Sequence, residues 1–376
     1  MNIRRILQTE LLKKLYKSKA IILLGARQVG KSFLLNEICD NFNNYLWLNA
    51  DEEKTRILFE DISTARLKTI IGQHKIIIID EAQRIDNIGI KLKLITDQIK
   101  DVQLIATGSS SFDLANKINE PLTGRKVDFH LFPISFEEMV NHHGMLDEMN
   151  LLEHRLVFGY YPDVIKEKGN EQEVLNSLSN SYLYKDIFIW NKIKKSDKIV
   201  KLLQAIALQL GNQVSYNELG QIVGLDSQTV ESYINILEQS FIIFRLSTFS
   251  RNLRNELKAS RKIYFYDNGI RNAIISNYSP IALRNDVGAL WENFLISERM
   301  KYTSYHKIYH NRFFWRTMAQ QEIDYIEERE GKIFAYEFKW NPKVKVKFPK
   351  SFINGYPNAE TKVISQNNYE EFVMKK

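Results

Sequence analysis

Hydrophobic positions near the start of the chain follow two different periods. Between Ile3 and Leu15 the apolar residues recur at helical spacing, which predicts an amphipathic helix. An uninterrupted apolar run at residues 21–24 comes next. A continuous run of this length predicts a strand that is buried on both faces, as in a parallel sheet.

Four further strands are predicted downstream, with helical patterns between most of them. They cover residues 45–49, 75–79, 103–107 and 127–132. Strands that alternate with helices favour a parallel sheet, because each crossover connection lays a helix against one of its faces. We therefore predict an α/β fold with helices on both faces of the sheet for residues 1–150.

The pattern changes after residue 150. It is mainly helical up to about residue 210, then predicts two helices at 216–223 and 227–239, a strand at 241–246 and a basic, polar loop at 251–262. Strands and helices mix again from residue 263 onward. The predicted domains are 1–150, 151–197, 198–262 and 263–376.

Composition limits the class of protein. A chain of 376 residues exceeds the roughly 250–300 residues of one core, so several domains are expected. The net charge of +7 permits nucleic-acid binding without establishing it. Cys39 is the single cysteine, which excludes an intramolecular disulfide and favours a reducing cytoplasm. The apolar run at 20–24 is too short for a signal peptide or a membrane span, so no membrane association is expected.

A phosphate-binding pattern follows the first predicted strand. The sequence G-x-x-x-x-G-K-[ST] is matched between that strand and a helical pattern, which is the context that a P-loop requires. Backbone N–H groups of such a loop and the helix N-terminus face phosphate oxygens. Lys31 would reach the β- and γ-phosphates of ATP, and Ser32 would hold Mg²⁺. The predicted nucleotide-binding residues are Gly25, Ala26, Arg27, Gln28, Val29, Gly30, Lys31, Ser32 and Phe33.

A second motif makes a chance match improbable. The apolar run at 76–79 ends in two carboxylates, Asp80 and Glu81. Asp80 would hold the magnesium ion through water, and Glu81 would orient the water that attacks the γ-phosphate.

These motifs resemble those of AAA-type ATPases, and further stretches narrow the resemblance. Residues 106–110 end the next strand, where such ATPases place polar sensors of the γ-phosphate; here these are Thr107 and Ser109. Residues 122–125 and 131–138 flank the last strand. Together they resemble a prokaryotic family of AAA-type ATPases with a C-terminal domain of unknown function. The resemblance implies a helical lid at 151–197, in which Pro162 packs near the nucleotide base.

Arg125 is open to two interpretations. It is a candidate for contacting the γ-phosphate, either within its own subunit or from a neighbouring copy in a homo-oligomer. Alternatively, it holds its own loop to an acidic residue, because the guanidinium matches carboxylates and phosphates equally well.

Residues 198–262 resemble a winged-helix domain, which would place its second helix in the major groove of DNA. That helix has no Lys or Arg and carries Glu231 and Glu238, although affinity depends mainly on phosphate neutralisation. Two roles stay open, DNA binding led by the basic residues that follow and a hinge or protein-binding module. The basic residues are Arg245, Arg251, Arg254, Lys258, Arg261 and Lys262.

The C-terminal region carries an acidic pattern with a lysine. A predicted hairpin turns near Glu330 and Gly331, which sets Asp324 opposite Glu337, with Lys339 on the same face as Glu337. Phe334, Tyr336, Phe338 and Trp340 form the expected core face. The pattern resembles the restriction-endonuclease-like PD-(D/E)xK superfamily, although Ile323 stands where a proline is usual.

The resemblance implies a metal site made by Glu292, Asp324 and Glu337, with Lys339 beside it. The alternative is an inherited fold whose acids only pair with Lys and Arg. Three functions follow for the chain as a whole. The first is an ATP-driven switch or motor near nucleic acid. The second is an ATP-gated metal-dependent nuclease, and the third is a signalling ATPase whose C-terminal parts bind only protein.

Overall fold

The chain divides into two compact units in a computed structural model, which describes residues 2–42, 44–109, 118–188, 196–250 and 261–375. The first unit comprises Met1–Pro133 with Gln239–Phe241. The second comprises Ile134–Glu238 and Ile242–Lys376. The division falls at residue 133 rather than at the predicted boundary of 150, so the helix that follows the last strand of the first unit belongs to the second.

The first unit is built on a five-stranded parallel sheet. Its strands follow the order β2-β3-β4-β1-β5. Both β1 and β3 are buried along their whole length, as expected for central strands covered on both faces. All five predicted strands are therefore confirmed. They are β1 Ala20–Leu24, β2 Tyr45–Asn49, β3 Ile76–Asp80, β4 Gln103–Gly108 and β5 Lys126–His130.

Short helices connect these strands. The opening helix is shorter than the apolar pattern predicts, since it begins at Ile6 and ends at Leu12. Ser63 caps another helix, because its hydroxyl accepts the Arg66 N–H. The helices are Ile6–Leu12, Lys31–Cys39, Glu53–Leu58, Thr64–Ile71 and Ile88–Gln98, with a 3₁₀ turn at Ala82–Arg84.

The second unit opens with a run of helices. The first is fixed by a reciprocal capping box between Ser135 and Glu138. Its Phe136 N–H also donates to the buried Glu298 carboxylate at 2.7 Å. This run comprises Phe136–His143, Met145–Asn150, Leu152–Phe158, Pro162–Lys166, Glu171–Phe188 and Ser196–Leu208.

A seven-stranded mixed sheet forms the core of the second unit, in the order β12-β11-β10-β9-β7-β8-β6. The neighbours β7 and β9, and likewise β11 and β12, are parallel, and the other pairs are antiparallel. The strands are β6 Gln213–Val214, β7 Ile243–Thr248, β8 Arg261–Phe265, β9 Asn311–Arg316, β10 Glu322–Arg329, β11 Lys332–Phe338 and β12 Glu360–Ile364. The accompanying helices are Tyr216–Val223, Ser227–Gln239, Asn268–Ile274, Val287–Tyr305, Lys350–Gly355 and Glu370–Val373.

This sheet runs through the predicted domain boundary between residues 262 and 263. Its continuity comes from β7, which pairs with β8 on one side and with β9 on the other. Arg261 and Lys262, which the sequence pattern assigned to a loop, belong to β8. The regions 198–262 and 263–376 are therefore parts of one sheet rather than two separate cores.

The β10–β11 hairpin has the predicted turn. Glu330 and Gly331 both have positive φ, at 51° and 75°, as a tight two-residue hairpin requires. The strand register pairs Tyr325 with Tyr336, which sets Asp324 opposite Glu337 at the next position. The predicted core face contains Tyr336 and Phe338, which are buried. The opposite face is buried as well, which the sequence pattern does not indicate.

On one face Tyr336 packs on Phe372, with ring centroids 4.8 Å apart. On the other face Ile326 and Ala335 belong to an apolar cluster with Trp315. Helices and loops cover both sides of the sheet here, and an alternation rule that assumes one solvated face does not apply. Within the described ranges, no helix is both long and apolar enough to cross a membrane.

A buried ion pair ties the hairpin to the long helix Val287–Tyr305. The Arg299 guanidinium donates to both carboxylate oxygens of Glu327 at 2.6 and 2.8 Å. The relative exposure of these side chains is 6% and 0%. Two parallel charge-assisted hydrogen bonds of this kind fix the orientation of both side chains.

We expect Glu327→Gln to lower the free energy of unfolding of the second unit by roughly 3–5 kcal/mol, because it leaves the Arg299 charge buried and uncompensated. Urea denaturation followed by circular dichroism measures the change. Glu328→Gln on the same strand is the matched control, since Glu328 is partly exposed and should change stability little. Equal effects of the two substitutions would contradict a structural role for the pair.

Candidate functional site

The predicted phosphate loop joins β1 to the helix Lys31–Cys39 in the first unit. Gly25 has no room for a side chain, because a Cβ there would lie 2.2 Å from the Leu131 carbonyl oxygen. Gln28 and Gly30 adopt positive φ values of 59° and 93°, so the loop curls before the helix begins. The Lys31 ammonium, which is buried, donates to the carbonyl oxygens of Gly25 at 2.8 Å and of Ala26 at 2.9 Å.

Arg5 supports this loop from the segment before the first helix. It is buried, and its guanidinium donates to the Val29 carbonyl at 2.7 Å and to the Phe132 carbonyl at 2.6 Å. The contact joins the phosphate loop to the end of β5. Sequence reasoning missed Arg5, because it belongs to no motif and the helical pattern around it predicts only a surface position for a basic side chain.

Asp80 connects the two predicted motifs. Ser32 Oγ donates to Asp80 Oδ2 at 3.0 Å, and Thr107 Oγ1 donates to Asp80 Oδ1. Hard oxygen ligands such as a hydroxyl and a carboxylate suit Mg²⁺. Ser32 and Asp80 therefore fit a magnesium ion that arrives with a nucleotide, and Thr107 holds Asp80 in position.

Glu81 is fixed by its backbone and by a neighbour. Its φ of 51° is left-handed, and its N–H donates to Thr107 Oγ1 at 3.1 Å. The amide nitrogen of Gln83 donates to Glu81 Oε2 and, at 3.2 Å, to Ser109 Oγ. The structure thus brings Glu81, Thr107 and Ser109 together, as the sequence predicts. It adds Gln83, which the sequence signals only by its position two residues after the acidic pair.

Arg125 lies at the end of the sheet where β1 begins, opposite the end that carries the phosphate loop. Its carbonyl accepts the N–H of Ala20, the first residue of β1, whereas the phosphate loop follows the last residue of that strand. At about 3.3 Å per residue, the five residues of β1 separate these two ends of the sheet by roughly 16 Å. The Arg125 side chain pairs with Asp97 at 2.6 Å. Arg125 therefore does not reach the phosphate loop of its own chain, and the pairing with an acidic residue is the interpretation that this geometry favours.

Two other predicted nucleotide-binding residues are placed as follows. Phe33 lies in the first turn of the helix after the loop, with its side chain 48% exposed. Pro162 begins the helix Pro162–Lys166 of the second unit. Next to it, Tyr160 N–H donates to the buried Asp267 carboxylate at 2.7 Å. The predicted contact between Pro162 and a nucleotide base stays a prediction.

The second unit brings the predicted acidic residues of the C-terminal region together. Burial raises the pKa of Glu292 to about 7; Lys262 opposes the shift and the Asp324 charge adds to it. Burial raises the pKa of Glu337 to about 7 as well, with repulsion from Asp324 as the next cause. Groups that shift one another's pKa in this way share one electrostatic environment.

Lysines, however, face these acids. Lys339 Nζ lies 2.8 Å from Glu337 Oε2 and 3.6 Å from Asp324 Oδ2. Lys262 Nζ lies 3.0 Å from Glu292 Oε1. Among the residues that the structure describes, no group of three or more His, Cys, Asp or Glu side chains is placed to hold a metal ion. Glu292, Asp324 and Glu337, the metal ligands that the resemblance implies, do not form such a group.

The basic residues near the predicted winged helix are also paired where the structure describes them. The Arg245 guanidinium donates to both carboxylate oxygens of Glu238. Arg261 contacts the hydroxyl of Tyr216 at 2.9 Å and Glu231 at 3.4 Å. The remaining candidates for a phosphate contact lie outside the described residues. They are Arg251, Arg254 and Lys258.

We expect Thr107→Val to weaken the binding of a magnesium–nucleotide complex by about 10–100-fold, because Asp80 loses the hydroxyl that orients it. Titration with a fluorescent ADP analogue at varied Mg²⁺ concentration measures the affinity. Thr107→Ser keeps the hydroxyl and should retain most of the binding. Valine and serine variants of equal affinity would show that Thr107 does not position Asp80.

Three family models match successive parts of the chain. Residues 17–140 match the family model described as an AAA domain. Residues 149–280 match a domain of unknown function, DUF8612, and residues 287–375 match a second one, DUF4143.

Relatives are similar over most of the chain. An uncharacterized protein of Mycobacterium tuberculosis is 22% identical over 341 residues, which cover 89% of this chain and 74% of that protein. An uncharacterized protein of Methanocaldococcus jannaschii is 21% identical over 308 residues, with coverages of 76% and 67%.

Among solved structures, a Walker-type ATPase of Pyrococcus abyssi has a TM-score of 0.50 at 15% identity. It covers 73% of this chain, and 96% of its own chain is matched. The family match over residues 17–140 and this similarity in fold agree with the motifs that lie on β1 and β3, and together they support an AAA-type P-loop ATPase domain in the first unit.

Proposed function

We propose that the chain hydrolyses ATP with magnesium and acts as an ATP-driven switch. The observation that carries the proposal is the position of Asp80, whose carboxylate accepts hydrogen bonds from both Ser32 and Thr107. The phosphate loop, the magnesium ligands and the γ-phosphate sensor are thereby joined through one side chain, as a phosphoryl-transfer site requires.

Each residue has a distinct task in this chemistry. Lys31 would exchange its loop carbonyl partners for β- and γ-phosphate oxygens, and Ser32 and Asp80 would hold Mg²⁺. The metal, when bound, would neutralise charge on the phosphates. Glu81 would orient the attacking water, while the contact of Gln83 with both Glu81 and Ser109 would keep that carboxylate near the sensor.

We expect Glu81→Gln to bind ATP normally but to lower turnover by about 10²-fold or more, because glutamine keeps the shape and loses the charge that orients water. Lys31→Ala should instead lose affinity, since it removes the cation that faces the phosphates. Isothermal titration and phosphate release measure binding and turnover separately.

The two variants test different halves of the proposal. A Glu81→Gln protein that releases phosphate at the wild-type rate would place the catalytic carboxylate elsewhere. Unchanged ATP affinity in Lys31→Ala would falsify the assignment of the phosphate site.

For the second unit, we propose that the switch acts on a protein partner. The element order from 196 to 265 supports a winged-helix arrangement, namely helix, strand, two helices and two strands. The order from 287 to 364 supports a nuclease-like arrangement, namely a helix, three antiparallel strands, a helix and a parallel strand. Neither arrangement establishes an activity, because a fold does not imply a function.

Charge pairing separates the alternatives for this unit. Nucleic-acid binding depends on cations that can neutralise phosphates, whereas Arg245 and Arg261 already contact Glu238 and Glu231. In the nuclease-like pattern, Glu292 contacts Lys262, which is a lysine from outside that pattern. These internal pairs favour the signalling ATPase over the DNA-associated motor and the nuclease.

We therefore expect double-stranded DNA to leave the ATP turnover of the full chain unchanged at low salt. The measurement is phosphate release with and without duplex DNA at two salt concentrations. A several-fold stimulation that disappears at higher salt would instead support nucleic-acid association, because counterion release makes such binding strongly salt-dependent.

A further inference from the structure

A lysine from β8 contacts one acid of the nuclease-like pattern, Glu292, and a neighbouring acid, Glu322. Lys262 is almost fully buried, with 1% of its side chain exposed. Its ammonium lies 3.0 Å from Glu292 Oε1 and 2.5 Å from Glu322 Oε1. It also lies 5.5 Å from the ring centroid of Phe314. The ammonium is thus held between two acids of different elements, over an aromatic face that favours a cation.

The local fold directs the Lys262 side chain toward Glu292. Its strand pairs with β7 and β6 on its two sides. Two residues along, Tyr264 donates its hydroxyl to the same Glu292 oxygen at 2.5 Å. Both side chains therefore point from one face of β8 toward the helix Val287–Tyr305, and the strand delivers a fixed positive charge there.

Three cations face the four carboxylates of this cluster. Lys262 contacts Glu292 and Glu322, and Arg316 contacts Glu322 at 2.9 Å. The remaining two acids, Asp324 and Glu337, share the ammonium of Lys339. With every acid counted as ionised, the formal charge of the cluster is −4 + 3 = −1.

We infer that Lys262 replaces the divalent cation of a nuclease-like site, so that the cluster binds neither Mg²⁺ nor Mn²⁺ and does not cleave nucleic acid. This inference concerns the second unit and goes beyond ATP hydrolysis. A buried acid must be paired, and a tethered ammonium provides the pairing permanently.

Coordination geometry supports the replacement. A divalent cation requires about six oxygen ligands at roughly 2.0–2.6 Å. In the described part of the chain, no set of three acidic or histidine side chains is placed for this. The contact of Lys262 with Glu292 at 3.0 Å is instead a charge-assisted hydrogen bond between an ammonium and a carboxylate.

The test is chemical rescue of Lys262→Met by Mn²⁺. All proteins carry Asp80→Asn, which removes the metal ligand of the first unit, and no nucleotide is added. Lys262→Met keeps the length of the side chain and removes its charge, so its thermal midpoint should fall. Without the ammonium, Glu292 loses its basic partner and can turn toward a cation. Mn²⁺ should then bind in isothermal titration and raise that midpoint by several degrees, because a ligand of the folded state stabilises it.

Three controls assign the effect to this cluster. The parent protein with Lys262 intact should show no Mn²⁺ isotherm and no thermal shift. Lys332→Met, at an exposed position on β11, should behave like the parent. Adding Glu337→Gln to Lys262→Met should abolish the rescue.

Two results would overturn the inference. One is saturable Mn²⁺ binding to the parent that Glu337→Gln removes, because the cluster would then take a metal despite Lys262. The other is a folded Lys262→Met protein that gains no Mn²⁺ binding.

If Lys262→Met does not fold, the comparison of Mn²⁺ binding by the parent and by its Glu337→Gln variant decides the question by itself. Equal absence of binding supports the inference, and binding only by the parent overturns it. Neither outcome depends on ATP turnover.

Discussion

The parallel pairing of β7 with β9 is the contact on which the second unit depends. It consists of two residue pairs, Ser247 with Phe313 and Thr248 with Phe314. The Phe249 N–H extends it by donating to the Phe314 carbonyl at 2.6 Å. This short ladder joins two groups of strands that would each have an exposed edge, and unpaired edges are liable to associate with other chains.

One consequence of the shared sheet is the composition of the acidic cluster. The helix Val287–Tyr305 contacts both β8 and β11, so it lies across strands that come from both halves of the unit. Glu292 on this helix therefore meets Lys262 from one half, while Glu337 and Lys339 come from the other. A domain boundary at residue 262 would have separated these side chains.

The carboxylates of the two candidate sites differ in the groups that contact them. In the first unit, Asp80 accepts hydrogen bonds from the hydroxyls of Ser32 and Thr107, which are neutral donors. Its negative charge therefore stays available for a cation. In the second unit, Glu292 contacts the ammonium of Lys262, and Glu337 contacts that of Lys339. The charge of the groups that contact the carboxylates therefore distinguishes the two sites. Neutral donors leave a carboxylate able to bind a metal, whereas ammonium groups already pair with it.

The sequence predicts the first unit better than the second for a physical reason. Strands such as β1 and β3 are continuous apolar runs, and the residues at their ends follow from the direction of parallel strands. The phosphate loop and the acidic pair were therefore predicted correctly as neighbours. The position of Arg125 was harder to predict. A motif specifies only the type of residue, and the sheet is needed to show at which end of the strands that residue lies.

Long-range pairing accounts for what the sequence could not show in the second unit. The hairpin turn at Glu330 and Gly331 is local, and so it was predicted together with the register that sets Asp324 opposite Glu337. The parallel pairing of β7 with β9 joins residues more than sixty positions apart, and no local pattern records it. For the same reason, the approach of Lys262 to Glu292 has no signal in the sequence.

The backbone of Glu81 carries a further consequence. A left-handed conformation at a residue other than glycine costs about 1–3 kcal/mol and persists only where the surrounding structure enforces it. Glycine at this position would relax the backbone but remove the carboxylate. The strain at the end of β3 is thus the thermodynamic cost of orienting one acid. A glycine that relieved it would stabilise the first unit and remove the residue that its proposed chemistry requires.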